Sequence, residues 1–151
     1  MVPVDRAWAR QAWRFPGRKL SEYRLQVITA TYTIAAGQQA QNQAVNFAAG
    51  GIILGIVAGC SPAAQAMTQT YRPGLDSFTA AITYQADNRY VVGTAEAHGS
   101  AIFGPFGDQF PDLELVMPQN SALLYNFTSL VGTQTILLTL AHHCLLYGAI
   151  G

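Results

Sequence analysis

The residues of this chain best able to do chemistry are three histidines, His98, His142 and His143, two cysteines, Cys60 and Cys144, and the carboxylates Asp108, Asp112 and Glu114. His142 and His143 are adjacent within an apolar run. Strand alternation sends neighbours to opposite faces, so the two cannot hold one metal together. A zinc site from His98, one of these histidines and Cys144 would lack the close CxxC or HxxxH spacing on which such sites are built. There is no GxSxG elbow for a hydrolase nucleophile. The carboxylates in FGDQFPDLEL invite a calcium or acid–base reading. They read more simply as a solvated loop across the end of a sandwich. The run Ile102 to Gly107 has glycines but no strand-to-helix pattern of the dinucleotide kind, and resembles aromatic–glycine turn packing. Cys60 and Cys144 read as two buried thiols, although their spacing leaves pairing open. The residues therefore predict no catalytic centre, no cofactor and no metal.

A different constellation stands at the start of the chain. Arg6, Arg10, Arg14 and Arg18 recur at every fourth position, with Trp8 and Trp13 between them, and Phe15-Pro16-Gly17 follows. A helix to about Arg14 puts three arginines along one side, and the Pro-Gly pair stops it. Tryptophan and arginine are enriched where proteins bind each other. Arg6, Trp8, Arg10, Trp13, Arg14 and Arg18 are thus the candidate protein-interaction residues, on an arm laid onto a neighbouring subunit. A solvated extension is the plainer alternative.

The charge layout sets this arm apart. Up to Arg24 there are six basic and two acidic residues, a net +4; after it there are two basic and six acidic, a net −4. Leu25 to Tyr71 and Leu115 to the end carry no formal charge. Half of the 151 residues are hydrophobic and only 11% are charged, against about 25% in ordinary domains. Disorder is excluded, because disordered chains are apolar-poor and highly charged. A zero net charge also argues against electrostatic capture of nucleic acid. The start lacks the features of a signal peptide, so synthesis in the cytoplasm is expected. The apolar run Phe47 to Cys60 ends at Ser61-Pro62, well short of the roughly 20 residues that cross a bilayer. No membrane partner is expected.

What would position these residues is a set of strands. Tyr23 to Ile34 is β-branched and aromatic, with Ile28, Ala30, Tyr32 and Ile34 on one face. A Gln/Asn-rich connection, Gln38 to Gln43, leads to AVNFA and IILGIVA, two short buried strands or one bulged strand. Further strands are predicted at Gln65 to Arg72, Ser77 to Tyr84, Arg89 to Thr94, Leu113 to Met117, Ser121 to Phe127 and Thr133 to Leu146, the last with a bend. Turn signals spaced by about 8–12 residues are the rhythm of sandwiches and barrels. The expected fold is all-β: an antiparallel, jelly-roll-like β-sandwich of about eight strands (21–151) behind an extended or short-helical N-terminal arm (1–20).

The stretch AIFGPFGDQFPDLELVMP (101–118), continuing as QNSALLYNFTS and ending in QTILLTLA (134–141), resembles the second half of small virion proteins of tailed bacteriophages. In those a Phe-Gly loop leads through a proline-flanked strand to an alternating strand and a last apolar strand. The pattern spans about Arg14 to Tyr147, and His142 stands where that family has a glycine. The resemblance implies a jelly-roll decoration or cement protein that caps a capsid as a trimer, or a neck, collar or tail component. Its partners would be the major capsid protein, other virion proteins and copies of itself, and its location the virion. No residue roles carry over. A receptor- or carbohydrate-binding sandwich, with Tyr84, Tyr90 and Phe106 exposed at one loop end, is the second reading. An enzyme is not expected.

Overall fold

The computed structural model describes residues 3–62, 74–104, 107 and 114–148. The predicted strand Gln65 to Arg72, and Phe106, Asp108 and Asp112, lie outside the described residues. After helix α1 (Val4–Gln11) come β1 (Tyr23–Ile34), β2 (Gln39–Phe47), β3 (Gly51–Pro62) and β4 (Phe78–Tyr84). The short pieces β5 (Ala97–His98), α2 (Gly99–Phe103) and β6 (Leu115–Met117) follow, then β7 (Ser121–Ser129) and β8 (Ile136–Tyr147).

The strands form two four-stranded antiparallel sheets, in the orders β1-β8-β3-β6 and β2-β7-β4-β5. We call these sheets A and B. The first strand pairs the last, the second the seventh, the third the sixth and the fourth the fifth. A long antiparallel ribbon wound on itself produces this order, so the all-β sandwich expected from the sequence is a jelly roll.

Alternation explains which residues fill the space between the sheets. Ile28, Ala30, Tyr32 and Ile34 of β1 share one face as predicted, and it points inward, the four lying opposite His142, Leu140, Leu138 and Ile136 of β8. Phe47, Phe78, Phe103, Tyr125 and Phe127 are almost wholly buried in the same core. Tyr125 and Phe127 stack at 5.7 Å, and Phe78 meets Phe127 edge-on at 6.1 Å. Each such ring contributes roughly 1.5–3 kcal/mol by leaving water.

Three expectations need correction. Gln39 to Gln43 belongs to β2 instead of a connection. Its polar side chains hide it because this edge half faces water, and an irregularity at Ala40/Gln43 is held where Asn126 Oδ1 accepts from the Asn42 N–H. Arg89 to Thr94 makes only the bridge Thr83–Tyr90, since Asp87-Asn88 turns the chain tightly against β4. Residues 97–103, with no strand or helix predicted, carry β5 and α2. The last strand is β8, which pairs β1 without a register shift, and a bulge lies in β3 between Ile53 and Gly55.

Candidate assembly surface

The arm is helical to Arg14, with a 3-10 turn over Ala12–Arg14. It lies on the outer face of sheet A of its own chain. Ala7 is fully buried against Tyr23, Ile52, Leu54 and Leu145, and Val4, Trp8, Phe15, Leu20 and Tyr147 pack around this second cluster. Trp8 stacks on Phe15 at 5.9 Å and leans on Tyr23 at 4.7 Å. The outward residues Ile52 and Leu54 of β3 and Leu145 of β8 thereby leave solvent.

The arginines divide by role. Arg10 pairs with Glu114, whose side chain is only 6% exposed and also accepts from Gln11 Nε2 at 3.2 Å. Arg18 lies over the Tyr147 ring at 3.7 Å, donates to its hydroxyl and pairs with Glu22 at 3.9 Å. These contacts fasten the arm to the sandwich. Arg6 is exposed, and Arg14 covers the ring of Trp13, which is 72% exposed. Of the six candidate interaction residues, Trp8, Arg10 and Arg18 thus engage their own chain, while Arg6, Trp13 and Arg14 face outward.

Beyond the arm, sheet A is nearly bare of charge. Its three twelve-residue strands, β1, β3 and β8, contain one formal charge, Arg24. Leu25 is 66% and Val27 49% exposed on β1. They border an apolar groove of about 450 Å³ lined also by Pro3, Val4, Leu54 and His143. The sequence carried this signal as the uncharged tract after Arg24, but not that β1 would be an edge.

A second groove, of about 800 Å³, lies where the arm meets the β4 and β6–β7 turns. It is polar, lined by Gln11, Arg14, Tyr84, Asp87, Arg89, Glu114 and Asn120 among others, with Arg89 over Tyr84 at 5.0 Å. Tyr90, predicted at an exposed loop end, is 42% exposed.

The candidate chemical residues stay apart. His142 is fully buried in the core, whereas His143 lines the apolar groove on the other face. His98 pairs with Thr79 in β5, and neighbouring Glu96 accepts from the Thr79 and Thr128 hydroxyls at 2.8 and 2.9 Å. Among the described residues no three His, Cys, Asp or Glu side chains group as metal ligands. Cys60 and Cys144 are free. On β3 they align with positions seven residues apart, Cys60 itself and Ile53, or roughly 23 Å, far beyond disulfide reach. Burial pushes the Cys60 thiol up to about 11 and that of Cys144 to about 12, so neither is a nucleophile at neutral pH. No described helix is long and apolar enough to cross a membrane. Compared with known proteins, the chain matches no family model, no curated protein and no solved structure.

Proposed function

We propose that this chain is a structural subunit of a phage virion, a decoration or cement protein that stabilises a shell by bridging neighbouring capsid subunits. The observation that carries this reading is sheet A, whose three long strands share a single charge and expose Leu25 and Val27. A face left to water ordinarily carries charged side chains, and interfaces between copies or with obligate partners are more apolar. The jelly-roll strand order supports the same reading, because viral capsid domains are among the proteins built this way. The partners are the major capsid protein or other virion proteins, together with further copies of this chain. Its place of action is the virion.

Co-sedimentation of the purified chain with phage shells tests the proposal, with heat release of the packaged DNA as the functional readout. Saturable binding that raises the release temperature is expected. A chain that never pellets with shells would sink the idea.

Lectin domains use the jelly roll as well. The polar groove with Tyr84, Arg89, Asp87 and Asn120 favours receptor or carbohydrate binding as the second reading. Glycan-array binding that disappears in Tyr84→Ala would replace the first reading by this one.

A further inference from the structure

The four sheet edges are guarded very unequally. β5 has two residues and β6 three, and β2 is broken by the irregularity at Ala40/Gln43. Short edges and bulges are devices that stop a strand from recruiting another chain. β1 has none of them. It runs twelve residues without a proline or a bulge, pairs β8 continuously along one side, and among the described residues has no strand on its other side. Its one charge is Arg24. The two most exposed apolar side chains of the sandwich strands, Leu25 and Val27, both lie on it.

We infer that β1 is a homotypic interface, pairing antiparallel with β1 of a second copy about a two-fold axis and joining the two A sheets into one. Opposed residues in a ladder share a face, so the register must match odd positions with odd ones. A two-fold at Val27 meets this rule, places Val27 against Val27 of the second copy, and brings the Leu25 pair beside them. It sets Arg24 opposite Ala30, leaving the two Arg24 side chains about 20 Å apart and free of like-charge repulsion.

Area singles out a second copy with its arm in place. Nine paired residues make an edge about 30 Å long and about 10 Å deep, burying on the order of 600 Å² in total, whereas stable interfaces need roughly 1,200 Å² or more. The two apolar shelves of Pro3, Val4, Leu25, Val27, Leu54 and His143 meet across the axis and supply the remainder. An isolated peptide strand would lack that second shelf. This pairing goes beyond the virion reading, and its two-fold symmetry differs from the trimer that the resemblance implies.

Sedimentation of the full chain at micromolar concentration tests it, beside Val27→Lys and an oxidised Val27→Cys variant. The expected results are a dimer for the wild type, a folded monomer for Val27→Lys, and a disulfide-linked dimer for Val27→Cys. The wild type should not cross-link, because Cys144 is buried and the half-buried Cys60 packs against the core at the far end of β3. A monomeric or trimeric wild type, or a dimer unmoved by Val27→Lys with no cross-link at Val27→Cys, would overturn the inference. Shell binding is scored separately: a dimer that ignores shells removes the virion reading and leaves this one standing. A shell-binding monomer does the reverse.

Discussion

The Tyr125 hydroxyl and His142 Nε2 lie 2.7 Å apart in the middle of the sandwich, joining β7 of sheet B to β8 of sheet A. The opposite ring nitrogen, Nδ1, is 2.9 Å from the Ile28 carbonyl. A carbonyl can only accept, so Nδ1 carries the proton and Nε2 accepts from Tyr125. Burial favours the neutral imidazole, which is then fully satisfied at the place where the two sheets meet.

Acid should loosen this contact. Burial, aided by neighbouring His143, lowers the His142 pKa below its ordinary 6.5, against the raising effect of the Ile28 carbonyl. The unfolded chain then takes up its proton at higher pH than the folded one, so stability rises with pH through this window. The contribution is complete above about pH 6.5 and is lost as pH falls toward the depressed folded value. Urea midpoints measured across this range should fall on acidification in the wild type and somewhat less in His143→Gln, which removes the smaller of the two lowering causes. A midpoint flat with pH would contradict the assignment.

Two glycines of one strand should respond oppositely to a methyl group. A Cβ on Gly51 would sit 2.3 Å from the Leu145 carbonyl oxygen and 3.0 Å from the Leu146 Cα, both backbone atoms of β8. Gly59 has nothing within 4 Å. Gly51→Ala should cost about 1–3 kcal/mol by overpacking, and Gly59→Ala should change little. Chemical denaturation of the pair reads this directly, and equal stabilities would show that β3 and β8 lie farther apart at Gly51.

The arm's two tryptophans should separate in the same way. Trp8 packs on Phe15 and Tyr23 over the outer cluster, and Trp13 is 72% exposed. Trp8→Ala should cost about 2–4 kcal/mol, whereas Trp13→Ala should stay within about 0.5 kcal/mol. Loss of shell binding in Trp13→Ala with unchanged stability would assign the outward face of the arm to the partner. If Trp8→Ala proves as stable as wild type, the arm does not hold this position in solution.

The sequence by itself determined which residues of each long strand share a face. Period-two alternation put Ile28, Ala30, Tyr32 and Ile34 on one face and split His142 from His143, and the Phe15-Pro16-Gly17 break marked where the helical arm stops. These are local properties, written in neighbours one to four positions apart. Tertiary structure alone decided what those faces meet. His142 finds Ile28 across 114 positions of sequence, and Arg10 finds Glu114 across 104. Trp8, legible only as a candidate contact residue, became the cover of its own chain's sheet because β3 and β8 turn Ile52, Leu54 and Leu145 outward beneath it. The first half of β2 stayed hidden since a half-solvated edge needs little apolar pattern, and the exposed edge of β1 follows from strand order alone. Pairing between distant strands is chosen by how the whole ribbon winds to bury its apolar faces, and no window of the sequence contains that choice.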